Sequence, residues 1–392
     1  MKKVCVVTST RADYGILTPL LRRIQEDAAL ELQLAVTGTH LCAEHGMTVR
    51  EIQADGFPIA ARIPILSGGD TPQAVSETMA NALCRFGAHF AKQRPDMAVV
   101  LGDRYEIFAI CAALVNARIP IAHLHGGETT EGAVDECFRH SITKMAYLHF
   151  TANEAYRKRV VQLGEAPARV FDVGALGVEN ALHTDFLPKE ALLDELGLSP
   201  ASPYVVVTFH PVTLEGEGEA QSACEALLAA MDAHPELQYV CTRANADAGG
   251  RLINDALAQY AKLHKNCVLV ASLGMRRYMS ALSYAAFVLG NSSSGIAEAP
   301  SFGIPTVNIG DRQRGRMRAQ SVIDCARDTA SIVEAMEKAL SPAFCETAKK
   351  AVNPYGAGDT SGRICSVLKD FLYGDKIDLK KKFYDLDFEV KG

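Results

Sequence analysis

Short runs of consecutive apolar residues rich in Val and Ile alternate along the chain with longer segments whose apolar positions recur every three to four residues. Uninterrupted apolar runs suit strands buried on both faces, and the longer segments suit amphipathic helices. The pattern therefore predicts parallel sheets covered by helices on both sides. In the first half the runs are Val4 to Thr8, Leu32 to Thr37, Met97 to Leu101, Ile119 to Leu124 and Tyr147 to Thr151. In the second they recur at Tyr204 to Phe209, Leu237 to Thr242, Cys267 to Ala271, Ala286 to Leu289 and Thr306 to Ile309. An α/β chain of two doubly wound halves follows.

Between the halves, Gly174, Gly177, Pro188, Gly197, Pro200 and Pro203 interrupt the pattern, and Asn353-Pro354-Tyr355-Gly356 interrupts it again. The expected division is 1–180 for the first domain, 181–355 for the second and 356–392 for a C-terminal piece. The helical segment Thr360 to Tyr373 has no sheet of its own to cover, so it is expected to return to the first domain. The tail Lys376 to Gly392, with Lys380-Lys381-Lys382, reads as a solvated appendage.

The length of 392 residues fits two domains with a sizeable core, and 40 basic against 46 acidic side chains leave a net charge of −6 with the signs intermixed. No basic face is concentrated enough to make nucleic acid the partner. No apolar stretch has the length of a membrane-spanning helix, and the opening Met1-Lys2-Lys3 leads straight into a strand-like run rather than a signal peptide. The 11 cysteines are odd in number and form no C-x-x-C pair, which fits free thiols in a reducing cytoplasm.

In open α/β sheets ligands bind beyond the carboxyl ends of the strands, so the residues just after each apolar run carry the chemistry. The first run is followed by Thr8-Ser9-Thr10-Arg11-Ala12-Asp13-Tyr14-Gly15, where hydroxyls and Arg11 precede a helix start that favours an anion. An N-capped turn with Arg11 in solvent is the alternative. Gly102-Asp103-Arg104-Tyr105-Glu106 sets a carboxylate beside a guanidinium at the next strand end. In Ala122-His123-Leu124-His125-Gly126-Gly127-Glu128, strand alternation would place His123 and His125 on one face, and a helix starting near Ala133 adds Asp135, Glu136, Arg139 and His140. Asp103, His125, Glu128, Asp135 and His140 are thereby gathered into one region suited to acid/base chemistry. A metal site is the rival, but the spacings that make such sites recognisable are absent.

In the second half His210 ends a strand in Phe209-His210-Pro211-Val212-Thr213. Asn291-Ser292-Ser293-Ser294-Gly295-Ile296-Ala297-Glu298 follows a buried strand and opens a helix, so hydroxyls and N–H groups converge as they do on phosphate. Glu298, one turn inside, is placed to accept from ribose hydroxyls. Asp311-Arg312-Gln313-Arg314-Gly315-Arg316 adds cations that suit a diphosphate or solvent.

Taken together these segments resemble the UDP-N-acetylglucosamine 2-epimerase family, in its hydrolysing branch. The resemblance rests on T-S-T-R-A-D-Y-G (8 to 15), G-D-R-Y-E (102 to 106), H-L-H-G-G-E (123 to 128), G-A-V-D-E-x-x-R-H-S-I-T-K (132 to 144), F-H-P-V-T (209 to 213), G-N-S-S-S-G-I-x-E (290 to 298) and G-D-R-Q-R-G-R (310 to 316). The non-hydrolysing branch carries an H-x-E-A-G-type segment where this chain has H-L-H-G-G-E. The resemblance implies a glycosyltransferase-B-like pair of Rossmann-type domains facing a cleft, no metal or other cofactor, and a homodimer or homotetramer. It also implies a reaction in which a base removes the proton on sugar C2 as UDP leaves C1, and water then hydrates the resulting glycal to the 2-epimeric sugar.

Carried over by motif, Asp103, Glu128 and Asp135 stand near the sugar, with His125 and His210 as further acid/base or positioning groups. The UDP-sugar's nucleotide falls to Arg11, Arg104, His210, Asn245, Ser292, Ser293, Ser294, Gly295, Glu298 and Arg312. Several relatives have Glu where this chain has His125, which leaves the identity of the C2 base open. The expected reaction is UDP-N-acetylglucosamine to N-acetylmannosamine for sialic acid synthesis. The alternative is the same chemistry on UDP- or GDP-linked 2,4-diacetamido-2,4,6-trideoxyglucose for legionaminic acid. A glycosyltransferase of the same architecture is more remote, since the carboxylate cluster suits proton abstraction. A silent sugar-nucleotide sensor would be expected to lose Asp103, Glu128 or Asp135.

Overall fold

The computed structural model describes residues 1–69, 71–131, 134–212, 217–244, 250–271, 273–356, 358–387 and 389. The chain forms two compact units, one of Met1–Glu128, Asp135–Glu179 and Gly356–Gly392, the other of Thr129–Val134 and Asn180–Tyr355. The excursion Thr129–Val134 joins the second unit, where Arg314 Nε lies 3.3 Å from Glu131 Oε2.

The first unit holds strands β1 (Lys2–Thr8), β2 (Leu30–Thr37), β3 (Ile59–Ile63), β4 (Met97–Leu101), β5 (Ile121–Leu124), β6 (Leu148–Thr151) and β7 (Val170–Asp172). They form one parallel sheet in the order β3-β2-β1-β4-β5-β6-β7. Alternate residues of the strands feed opposite faces, as the two-residue strand period requires. Val4, Val6, Leu34, Met97 and Val99 meet Leu17, Leu20, Leu21 and Ile24 of the helix Arg11–Glu26, while Cys5, Val7, Ala98 and Val100 meet Phe86, Phe90, Ile110 and Leu114 on the other side. The helix Thr360–Tyr373 returns to the first of these faces through Ile364, Leu368 and Phe371, and Ser361 anchors its start on the Glu179 carboxylate.

The second unit repeats the scheme with β8 (Tyr204–Thr208), β9 (Gln238–Thr242), β10 (Cys267–Val270), β11 (Phe287–Gly290), β12 (Thr306–Ile309) and β13 (Val322–Cys325), in the parallel order β10-β9-β8-β11-β12-β13. In each sheet the strand order reverses once, between β1 and β4 and between β8 and β11. At such a switch point the loops leaving the two strands part to opposite faces and open a crevice at the carboxyl ends.

The C-terminal tail differs from the expected solvated appendage. Most of it is exposed, yet Lys381 is half-buried, its ammonium bonded to Glu165 Oε1 at 2.9 Å, and Tyr384 N donates to Gly164 O at 2.9 Å. No helix among the described residues is long and apolar enough to cross a membrane.

Candidate active site

Because β1, β4 and β5 are neighbours in the sheet, the polar loops after them lie side by side. The first is folded by its own Asp13. The Asp13 carboxylate accepts from Ser9 N and Thr10 N at 3.0 Å each and from the Thr8 hydroxyl, while Thr10 caps the helix Arg11–Glu26 in a reciprocal capping box. Burial works against this carboxylate's charge, but hydrogen bonding to His40 and these donors hold it below the ordinary range. Arg11 is left at the helix start, its Nε 3.1 Å from Glu51 Oε2.

After β4, Asp103 and Arg104 diverge. Arg104 Nε bonds Glu106 Oε1 at 2.6 Å, and that buried carboxylate also accepts from Ser9 Oγ at 2.9 Å, so the first two loops are tied together. Asp103 is instead salt-bridged to Arg139, which is 2 % exposed and lies in the helix Asp135–Met145. Arg139 also donates to His125 O at 3.2 Å and stands 4.0 Å from Glu128 Oε2. One buried guanidinium thus ties the loop after β4 to the loop after β5. Asp135 is the first residue of the same helix, one turn before Arg139.

The expected shared face of His123 and His125 is not formed. Strand β5 ends at Leu124, and His125 turns into the left-handed region at φ +64°. His123 remains buried, with Nε2 2.8 Å from Gly102 O and Nδ1 3.2 Å from Thr143 Oγ1. Since a carbonyl only accepts, Nε2 carries the proton. Burial lowers this imidazole to about 3, so it is a neutral strut under the Asp103 loop. His125 Nδ1 meets Glu128 Oε1 at 2.9 Å, and Glu128 is 2 % exposed. A carboxylate on Nδ1 makes that nitrogen the donor and leaves the lone pair on Nε2, which is buried without a hydrogen-bond partner. His140 leaves the expected cluster and pairs with Glu136, Nε2 to Oε1 at 3.1 Å.

In the second unit the loops after β8 and β11 meet at the switch point. Asn291 binds the His210 backbone in both directions, accepting from N at 2.7 Å and donating to O at 2.8 Å. Burial, with the positive Arg312 nearby, lowers the His210 imidazole to about 3, so it is neutral at physiological pH. The helix opened by this segment runs only over Ser293–Ala297, with Ser292 as its N-cap. Glu298 therefore caps its end instead of lying one turn inside, and five residues make a weaker dipole than the sequence implied. What the segment presents is hydroxyls and cations. Ser294 Oγ is bonded to the hydroxyl of the half-buried Tyr278, and Arg312 Nη1 and Gln313 Nε2 reach Asn291 O at 3.2 and 2.9 Å. Gly295 sits inside the short helix, where a Cβ would press on the Thr306 side chain. Asn245 lies outside the described residues.

Reading the sequence missed Arg139 and Glu106 as site residues, although both lie inside motifs singled out above. Among the described residues, no group of three or more His, Cys, Asp or Glu side chains is arranged to hold a metal ion.

Two Rossmann-like units, with ionisable side chains gathered at the switch point of one and hydroxyls and cations at that of the other, have the make-up of α/β proteins that take nucleotide-linked ligands. Comparison with known proteins narrows the class. Residues 22–369 match the family profile described as UDP-N-acetylglucosamine 2-epimerase. A Campylobacter jejuni protein named GDP/UDP-N,N'-diacetylbacillosamine 2-epimerase (hydrolyzing) is 40% identical over 344 residues, 88% of each chain. The polysialic acid biosynthesis protein P7 of Escherichia coli is 38% identical over 386 residues, 98% of each chain. A crystal structure of UDP-GlcNAc 2-epimerase from Neisseria meningitidis bound to UDP-GlcNAc superimposes with a TM-score of 0.79 over 93% of this chain and 99% of that one, at 19% identity, a likeness of fold. The chain belongs to the UDP-N-acetylglucosamine 2-epimerase family, in its hydrolysing branch, and is an enzyme acting on nucleotide sugars.

Proposed function

We propose that the enzyme converts UDP-N-acetylglucosamine and water to N-acetylmannosamine and UDP, supplying a 2-acetamido sugar of the kind sialic acids are built from. The observation that carries the reading is the His125–Glu128 pair, Nδ1 to Oε1 at 2.9 Å with Nε2 unpartnered. An imidazole held in one tautomer by a carboxylate, with its lone pair free, is suited to take a proton from carbon.

The steps follow from bond accounting. His125 Nε2 takes the C2 proton, the C2–H electron pair becomes the C1=C2 bond, and the C1–O bond breaks with its electrons leaving on UDP. Ser292, Ser293, Ser294, Arg312 and the neutral N–H of His210 supply donors to the departing diphosphate, with Arg11 and Arg104 further cations for it, and Glu298 accepts from the ribose. Water then adds its oxygen to C1 while C2 receives a proton on the face opposite to the one that lost it. Inversion at C2 therefore needs a second acid/base group, and Asp103 and Asp135 are the carboxylates assigned to water activation and reprotonation.

A second reading is favoured by the Campylobacter relative: the same chemistry on a 2,4-diacetamido-2,4,6-trideoxyglucose nucleotide, the chemical form of N,N'-diacetylbacillosamine. It differs only at C4 and C6, remote from the bonds that break. Proton NMR in deuterated water with UDP-N-acetylglucosamine and with the UDP- and GDP-linked diacetamido sugars tests both. Free N-acetylmannosamine carrying deuterium at C2, with UDP, supports the first reading. Turnover confined to a diacetamido sugar moves the enzyme to the second. Deuterium exchange without UDP release overturns both.

A further inference from the structure

Among the described residues of the C-terminal tail, Lys381 is bound at the far end of the helix that carries Asp135 and Arg139. Lys381 Nζ donates to Lys144 O at 2.7 Å, to Ala146 O at 2.8 Å and to Glu165 Oε1 at 2.9 Å, so all three N–H groups of the ammonium are used. Lys144 lies in the last turn of the helix Asp135–Met145 and Ala146 just beyond it, where helix carbonyls lack intrahelical partners and the dipole is negative.

Three further contacts set this lysine in place. The Phe383 ring lies 4.8 Å from Lys144 Nζ and covers Gly164, where at φ +85° a side chain would both strain the backbone and overlap the ring. Tyr384 N donates to Gly164 O at 2.9 Å. Upstream, Tyr147 Oη donates to Lys376 O at 2.8 Å and accepts from Asp378 N at 3.1 Å. Beneath the tail, Glu165 is fully buried and takes Lys144 Nζ at 2.6 Å and His149 Nε2 at 3.1 Å as well as Lys381. Removing Lys381 leaves Lys144 O and Ala146 O without this donor and takes from Glu165 one of its hydrogen-bond donors, Lys144, His149 and the nearby Arg169 guanidinium remaining.

We propose that Lys376–Tyr384 is a strap and that Lys381 is a positioning residue, capping the helix Asp135–Met145 so that Arg139 holds Asp103 and Glu128 in register. The inference rests on the reading that this helix carries active-site groups. At about 1.5 Å per residue, Lys144 is roughly 7 Å along the helix from Arg139, close enough for a loosened last turn to tilt the guanidinium.

The test uses the full chain as wild type, Lys381→Met, and Phe383→Ala, which frees the strap without touching a charge. Hydrogen exchange is followed for the amides of residues 135–146, alongside kcat per folded enzyme and UDP affinity by titration. Both variants are expected to speed exchange in 135–146 selectively and to lower kcat about ten- to a hundredfold, the scale of a misplacement of about 1 Å, with UDP affinity within about twofold of wild type. Unchanged exchange in that helix overturns the strap. Faster exchange with unchanged kcat, or kcat and UDP affinity falling together, overturns the positioning role. A wild-type chain inactive on every nucleotide sugar overturns the proposed function instead, and exchange in 135–146 still decides for or against the strap.

Discussion

At the scale of single residues, the proposed base is a histidine in a backbone conformation that histidines rarely adopt. At φ +64°, His125 pays on the order of 1 kcal/mol that a glycine would not, and the conformation delivers Nδ1 to Glu128. His125→Asn is the informative change, because Asn tolerates this region yet is no base. Turnover is expected to fall about 10²- to 10⁴-fold with UDP titration unaltered, and a variant retaining more than a tenth of wild-type kcat would remove His125 from the chemistry. Arg139 makes a different prediction. Arg139→Met leaves the Asp103 and Glu128 carboxylates without their shared buried cation, and a loss of about 3 kcal/mol in urea unfolding is expected along with activity. A midpoint within experimental error of wild type would show that the guanidinium does not hold the loops. The sequence displayed both residues but not their roles. Arg139 finds Asp103 across 36 positions, a pairing visible only once β4 and β5 are adjacent, and the turn at His125 breaks the two-residue period on which its expected orientation relied.

At the scale of elements, uninterrupted apolar runs mark every interior strand and the edge strand β10, while β3, β7 and β13 show none. All three are sheet edges. In β3, Ile-Ala-Ala-Arg-Ile, only the last residue is buried, and β7 is three residues long, so neither produces the run that burial on two faces imposes on a central strand. The same logic explains the short helix after β11. It opens with the expected serine cap, but Pro300 follows Glu298 by two residues and the turn beyond is a 3₁₀ segment. Gly290 shows what the element demands at the end of β11. Its φ is +136°, and a Cβ there would overlap Thr208 O of β8, a backbone atom held in the sheet. Gly290→Ala is expected to cost about 2–4 kcal/mol in urea unfolding. An unperturbed midpoint would mean that β8 and β11 can separate at their carboxyl ends, where the hydroxyl cluster begins.

For the whole molecule, buried ionisable groups set how it responds to acid. His123 and His210 are lowered by burial to about 3, and His149 is lowered too, burial outweighing the pull of Glu165. In the unfolded chain all three titrate near 6.5, so below that pH the unfolded state binds protons that the folded rings refuse, down to about 3 for His123 and His210. Their contribution is complete above the unfolded value and is withdrawn as pH falls, at up to about 1.4 kcal/mol per pH unit for each ring. Glu165 adds a later stage. Burial works to raise it, but hydrogen bonds from His149, Lys144 and Lys381 bring it from 4.5 to about 2, so its stabilisation holds above about pH 4.5 and is lost below. Stability measured by urea unfolding is therefore expected to decline from about pH 6.5 downward and continue to decline below 4.5. His123→Asn keeps a donor for Gly102 O but does not titrate, and it is expected to remove roughly a third of the slope between pH 6.5 and 5. A wild-type profile flat over that range would mean that the three imidazoles are not held neutral, and the neutral donor proposed in His210 would then be a cation.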